Sequence, residues 1–522
     1  MIPTGKPSSS FVVPPERETT YRLLMAGVLL LLLWPIATVE FPSMVDYPSH
    51  LARVRILRDY AQEPVLQARY VPVYKPHPNL ALEILSLYVF PWLSIQAAGK
   101  AVLALLMVMT AAGCHWLGRC AGDGRPSWLA PVAALLVYNS TFLYGFVNYN
   151  FGNAAFLLSL AAWLRLRGEP FALRSLLMAA LYLATFLAHL IGFAALMVSV
   201  AALAAIHWRR GQLSLGQALL HLLPFTPSLA IYIGLRSLGE DRGAVVWGSW
   251  LLKAKHLASF LITYDLGLTF VYGALLLAAL VILLVKARPW AITDLQIAGA
   301  VLLALAVAMP GQELFGGSDL DARLAILALL VLLLSAAAAV PPVWARLAFV
   351  LALAALSARV VEIQRSWVDG DRLTRSQLEL LRAVPARASV YPIFELPAEA
   401  EAGKRERHLL HALEYTTVDR LVFWPQLIAV DGFQPVLFRE RSLQWFGPNP
   451  NPSAIRWERL PAKYDFVYSW GAPPRLETML PRAYSLVGQA GKGRLYKLAP
   501  QSVSEKTTPS DHPPSPGTSP PR

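Results

Sequence analysis

Apolar runs recur along this chain from residue 22 to residue 358, and that recurrence constrains the fold more than any motif. A membrane crossing takes roughly 20 apolar residues, with shorter runs admitted where neighbouring helices cover them. By that criterion spans fall near 22-39, 98-118, 127-144, 150-164, 174-189, 190-206, 217-236, 266-285, 294-309, 321-339 and 343-358. Apolar residues are 56% of the 522 positions and charged ones 15%, too oily for a water-soluble α/β enzyme of this length. Lys6, Arg17 and Arg22 precede the first run as they would a secretory signal. That run, Leu23 to Val39, is long for a signal and lacks a small-residue cleavage site, so it is read as a retained span. Cys114 and Cys120 lie on different faces of a helix and suggest neither a disulfide nor a metal pair.

The run 79-95 contains Glu83 and Pro91 and is short, so it is read as a juxtamembrane or partly inserted helix. With the N-terminus cytoplasmic and that run not crossing, the loops holding Arg119/Arg125, Arg165/Arg167/Arg174, Arg209/Arg210 and Lys286/Arg288 all face the cytoplasm, as the positive-inside rule asks. Letting the run cross would move the first three of those loops outside. The expected fold is mainly α: a polytopic membrane protein of about 11 transmembrane helices with juxtamembrane helices and a small C-terminal α/β domain.

In that scheme residues 1-20 are a cytoplasmic segment. Residues 21-358 form the membrane domain, with a first outer loop over 40-97, and 359-500 form the α/β domain on the outer face. Its signals are an amphipathic exit helix over 359-380, strand-like "ASVYPIF", "YDFVYSW" and "RLYKLA", and helical "RERHLLHALEYTT". The tail 501-522 is Pro/Ser/Thr-rich and is expected to be disordered. The net charge of +13 comes from small groups of Lys and Arg between apolar runs or in the C-terminal quarter, which argues against a nucleic-acid partner. There is no internal repeat, Gly-rich phosphate loop or Cys/His cluster, and neither a metal nor another cofactor is expected.

The first outer loop carries the densest chemistry. Pro48 suits a first helical turn; Leu51, Val54, Leu57 and Ala61 then form an apolar stripe with Arg53, Arg55 and Arg58 off it, as in a helix resting on a membrane surface. Asp46 immediately precedes that helix, where the macrodipole favours its ionised form, and His50 and Arg53 follow at successive turns. Two readings stay open: a helix cap with arginines on lipid headgroups, or a catalytic base beside a phosphate-binding surface.

In "YGFVNYNFG", Gly145 and Gly152 permit a tight turn presenting Asn148, Tyr149 and Asn150 either to a sugar-like ligand or to their own backbone. His189 stands where two spans reverse, as a functional ionisable group or a satisfied structural histidine. In "GGSDLDARLAIL", Asp319, Asp321 and Arg323 open a span. Asp321 is either a cap with Arg323 as its ionic partner, or Arg323 is free to hold a phosphate. "KAKHLASFLITYD" reads as a second interfacial helix offering Lys253, Lys255 and His256 to headgroups. His408 and His411, three apart on a helix with no further metal-ligand spacing, read as surface histidines.

The layout as a whole resembles the superfamily of membrane glycosyltransferases with the GT-C fold, over residues 20 to 360 and, in general arrangement, into the C-terminal domain. It is most similar to bacterial members with a "D-x-P-x-H" element in the first outer loop, here "DYPSH", and a "GFxNxxxG"-like turn, here "GFVNYNFG". The resemblance implies a polyprenyl-phosphate-linked sugar as donor and a lipid, glycan or protein as acceptor. It places the enzyme in the bacterial inner membrane, working among membrane lipids on the periplasmic face. It also implies that Asp46 acts as, or beside, the general base, and that Arg53, Arg323 or Lys75 stabilises the leaving phosphate. His50 and His189 would orient donor or acceptor, and His77, Asn148, Tyr149, Asn150 and Asp321 complete the substrate-binding set.

Many superfamily members carry adjacent acids in this loop. Here Asp46 is flanked by Val45 and Tyr47, with Glu40 the nearest other carboxylate, so a metal-assisted mechanism is not expected. A membrane protein that binds or carries lipid-linked glycans without transferring them is the alternative. Transporters, however, place ionisable groups at the bilayer midplane in broken, repeated helices, and here the polar groups collect at one face.

Overall fold

The computed structural model describes residues 10–236, 245–287, 292–311, 313–314, 317–395, 406–429, 434–440, 455–471 and 478–499. The tail 501-522 lies outside them. Helices overlie each expected span, because the apolar runs are continuous enough to satisfy their backbone within the helix, as a membrane requires. The main ones are α1 (Glu18–Thr38), α2 (Tyr47–Asp59), α3 (Ile95–Ala121), α4 (Val147–Arg165), α5 (Phe171–Ala188), α6 (Leu190–Arg209), α7 (Trp250–Ala258), α8 (Leu266–Lys286), α9 (Asp294–Ala308), α10 (Leu320–Leu334) and α11 (Pro342–Leu380). Among the described residues, seven helices are long and apolar enough to cross a membrane; Leu129–Tyr144 and Asp294–Ala308 are shorter apolar segments. The chain is a multi-pass membrane protein. Phe270, Leu277 and Leu284 of α8 are exposed although apolar, as side chains facing lipid would be.

Three features matter for the site, and the second and third depart from the sequence reading. Segment 79-95 forms only a short helix, Ala81–Ile84, continued by one π turn, Leu85–Val89. Nine residues reach about 14 Å, far short of a crossing. The last span and the exit helix are one continuous 39-residue helix, about 58 Å long, so its second half extends beyond a 30 Å hydrocarbon core. The segment "GFVNYNFG" is no Asn-rich turn: the turn ends at Gly145, and Asn148, Tyr149, Asn150 and Gly152 all lie in α4.

Contacts among the helix ends separate the bundle into two poles. At one, Arg167 lies 3.3 Å from His207, Arg210 pairs with Asp294 at 2.6 Å, and Lys286 stands over the Trp344 ring. This pole collects the basic inter-helix loops. The other pole carries the first loop, the start of α4, the α5–α6 reversal at His189, α7 and the start of α10.

Beyond α11, strands β2 (Val390–Phe394), β4 (Phe466–Trp470), β5 (Tyr484–Ala490) and β6 (Gly493–Leu498) form one sheet in the order β2-β4-β6-β5, parallel between β2 and β4 and antiparallel elsewhere. Two further strands, β1 (Tyr70–Pro72) and β3 (Val436–Phe438), pair antiparallel, with Tyr70 opposite Phe438. The first loop is thereby hydrogen-bonded to the C-terminal region. Tyr70, Ile56 and Ala52 share a buried apolar cluster with Phe423, Val436 and Phe438, so the junction is packed as a core.

Candidate functional site

The site begins with a helix start that the sequence dictates. Asp46 is the N-cap of α2 and Pro48 lies in its first turn, where a missing N–H costs nothing. The Asp46 N–H donates to the Tyr144 carbonyl oxygen at 2.9 Å. Gly145, at φ 102°, lies against that strand of backbone: a Cβ there would stand 2.5 Å from the Asp46 nitrogen. Glycine is required at this position both for the left-handed backbone and for the close approach.

The Asp46 carboxyl is half-buried, makes no cap hydrogen bond, and has no hydrogen-bond partner among the described residues. Burial pushes its pKa up to about 6, although His411, Arg53 and Arg323 pull the other way. An acid that is uncommitted and titrates near neutrality is chemically available.

The surroundings of α2 differ from a membrane surface. The helix packs between α3 and the turns Leu409–Ala412 and Tyr415–Arg420. His50 and Arg53 are both buried. Arg53 Nε donates to Glu83 Oε1 at 3.1 Å and Nη1 to the Ile428 carbonyl at 3.1 Å, while His50 Nδ1 lies 2.9 Å from Glu83 Oε1. Burial and the neighbouring Arg53 hold the His50 imidazole below its ordinary value. Burial raises Glu83, but His50 and Arg53 outweigh it and hold the carboxyl at about 2. Arg53 is the permanent countercharge of Glu83. Arg53 and His50 are thus spent on Glu83, and Arg55 donates to the Val418 carbonyl at 3.0 Å. These arginines meet the C-terminal region rather than headgroups.

Asn148 completes that cluster. Its Nδ2 donates to Glu83 Oε2 at 3.0 Å and its Oδ1 accepts from the Leu82 N–H at 2.7 Å. The Tyr149 hydroxyl donates to the Arg323 carbonyl at 2.6 Å, and Asn150 donates to the Phe146 carbonyl at 2.9 Å. All three expected sugar ligands are buried and serve internal bonds. His189 caps α6, accepting from the Ile191 N–H at 3.1 Å, and meets the Tyr149 ring edge-on. Gly152 admits it: a Cβ there would stand 2.7 Å from the His189 Cβ. Lys75 is exposed, and His77 is buried with Nδ1 on the Pro78 carbonyl at 2.9 Å.

At the start of α10, Asp321 does not pair with Arg323. Its Oδ1 takes the Ala322 N–H and stands 3.0 Å from His256 Nδ1. Lys253 is not presented to headgroups either: it is buried and its Nζ donates to the Val307 carbonyl at 2.8 Å and to that of Met309, capping the C-terminus of α9. Arg323 therefore makes no ion pair among the described residues. Its guanidinium lies over the Phe146 ring at 4.4 Å and the Tyr149 ring at 5.7 Å, and its buried Nε lacks a partner. The two aromatic faces hold the cation in place without neutralising it.

The histidines read as surface residues are not. His408 is buried, and His411 enters the neighbourhood of Asp46. Ser49 Oγ donates to Glu414 Oε2 at 2.6 Å, His411 Nδ1 lies 2.7 Å from Glu414 Oε1, and Ser49 Oγ is 3.1 Å from that nitrogen. The three-residue spacing of His411 and Glu414 was the available signal in the sequence. Among the described residues no group of three or more acidic, His or Cys side chains is arranged to hold a metal. An apolar cavity of about 810 Å³, lined in part by Trp128, Leu280 and Phe349, contains none of these residues.

Fold and site together define a polytopic helical membrane protein with a polar site at one pole, where bundle and C-terminal region meet. No family model matches the sequence, and no curated protein matches it. Among solved structures, it is similar to ArnT from Cupriavidus metallidurans in the apo state, at 12% identity over 92% of this chain and 98% of that one, with a TM-score of 0.41. It is similar also to ArnT from the same organism bound to undecaprenyl phosphate, at 11% identity over 94% and 100% of the chains, with a TM-score of 0.41. At that identity and overlap the likeness assigns neither substrate nor residue roles here.

Proposed function

We propose that this protein is a GT-C-like glycosyltransferase of the bacterial inner membrane. It moves a sugar from a polyprenyl-phosphate donor to a lipid, glycan or protein acceptor on the periplasmic face. One observation carries the reading: the same pole holds a carboxyl and a guanidinium, Asp46 and Arg323, that the fold positions and that have no hydrogen-bonded ion-pair partner among the described residues. Leaving a desolvated charge unpaired is costly, and such groups mark sites where a ligand supplies the partner.

In the reaction the Asp46 carboxylate accepts the acceptor's O–H proton as that oxygen bonds to the anomeric carbon. The bond between anomeric carbon and phosphate oxygen breaks, and its electron pair leaves on the phosphate, beside Arg323. Arg53, His50, Asn148 and Glu83 support this site by fixing α2.

The test is transfer from a panel of polyprenyl-phosphate-linked sugars to membrane lipids by the purified protein, with wild type and Arg323→Gln compared. The reading expects transfer by wild type, and a loss in the variant that falls mainly on donor affinity. No transfer from any donor by wild type would favour a carrier of lipid-linked glycans.

A further inference from the structure

We propose that His411, held by Glu414 and Ser49, is a positioning residue for Asp46: an imidazolium from the C-terminal region that keeps the neighbouring carboxyl ionised for its work as a base. The purpose of that base rests on the glycosyltransferase reading; the charge coupling does not.

The contacts around Glu414 favour a charged ring on His411. Glu414 is 1% exposed, and its two carboxylate oxygens are taken by Ser49 at 2.6 Å and by His411 at 2.7 Å. Leaving a buried charge uncompensated is costly, and a protonated ring supplies the countercharge to this carboxylate. Burial works against the charged ring, yet Glu414 and Asp46 outweigh it and hold the imidazole above its ordinary value. With Nδ1 committed to Glu414, the ring's orientation is set, and Nε2 makes no hydrogen bond among the described residues.

Ser49 ties this pair to the base. It stands three residues after Asp46, one helical turn on and on the same side of α2. The titratable and charged groups facing Asp46 are His411, Arg53, Glu414, Arg323 and Tyr144, and those facing His411 are Glu414, Asp46 and Arg53. Arg53 already serves Glu83, and Arg323 is reserved for the donor phosphate in the reading above. That leaves His411, carried beside Asp46 by its contact with Ser49, as the cation assigned to Asp46. The C-terminal region thereby becomes part of the reacting site instead of a cover over it.

The experiment titrates the Asp46 carboxyl in the full-length protein in membranes, by infrared difference spectroscopy, with the protonated-carboxyl band assigned by its loss in Asp46→Asn. Wild type should show a midpoint near pH 6. His411→Gln should move it upward by roughly one pH unit, a tenfold gain in proton affinity, and His411→Lys should restore it. An unchanged midpoint in His411→Gln overturns the proposal.

Should that variant not fold, linkage gives a second reading, because coupling between two sites is reciprocal. The pH dependence of His411 modification by diethyl pyrocarbonate, resolved by mass spectrometry, should shift to lower pH in Asp46→Asn; no shift also overturns it. If transfer is measurable, the acid limb of its pH profile should move upward in His411→Gln while rates converge at high pH; a pH-independent loss would mark a merely structural residue. A wild type that titrates as stated but transfers nothing would sink the glycosyltransferase reading and leave the coupling standing.

Discussion

Arg53 Nε donates to Glu83 Oε1 across 3.1 Å, between side chains only 1% and 2% exposed. This pair ties α2 to the short helix after residue 80 and so fixes the platform on which Asp46 stands. Removing one partner strands the other charge, so Glu83→Gln should cost about 3–5 kcal/mol, and the apolar double replacement Arg53→Met/Glu83→Leu considerably less. Thermal unfolding in detergent measures both. Glu83 is held at about 2, below its unfolded value of 4.5, so its contribution is present above pH 4.5 and is lost as pH falls from 4.5 towards 2.

Asp46 has the opposite linkage. Its folded value, about 6, lies above the unfolded 3.8, so stability is fully present below pH 3.8 and declines as pH rises through 6. Asp46→Asn should therefore raise the melting temperature at pH 7, by a gain on the order of 3 kcal/mol, and leave it nearly unchanged at pH 4. Equal effects at both values would show that burial does not strain this carboxyl. For transfer, the ionised form is the active one, so activity should rise with pH along a limb centred near 6.

Gly145→Ala tests the backbone beneath Asp46. A side chain at φ 102° costs about 1–2 kcal/mol, and the added Cβ at 2.5 Å from the Asp46 nitrogen must push α2 away from Tyr144. Transfer should fall far more than stability does. A variant that folds and retains full transfer would show that the position of Asp46 is not critical.

Lys253→Met separates anchoring from chemistry. Its Nζ caps carbonyls at the end of α9, so the variant should lose about 1–3 kcal/mol in thermal unfolding while donor affinity, measured on the surviving fold, stays near wild type. A selective loss of donor affinity would instead place Lys253 on the ligand.

How far the sequence speaks depends on whether a feature is local. The long apolar helices are legible because each apolar run satisfies its backbone on its own, and the start of α2 is legible because Asp46 and Pro48 mark a helix N-terminus by themselves. The roles of Arg53 and His50 are not, since Glu83 sits thirty residues on in a segment read only for whether it crosses. Spacing left Arg323 either paired with Asp321 or free, and the imidazole of His256, brought by α7, takes that acid. His411 was hidden for the same reason: helical spacing gives a face but not the helix that covers it, and Ser49 lies more than 360 residues away. The turn expected at Asn148 became helix because its amides found partners in the first loop, which no local rule anticipates.

The most direct test of the central claim is transfer of sugar from a polyprenyl-phosphate donor by purified wild type and Asp46→Asn, at a pH above 7 with folding and donor binding verified in both. The replacement removes the charge and keeps the shape, so transfer should drop by roughly 10²–10⁴-fold with donor affinity retained. Undiminished transfer by Asp46→Asn would contradict the assignment of Asp46 as the base.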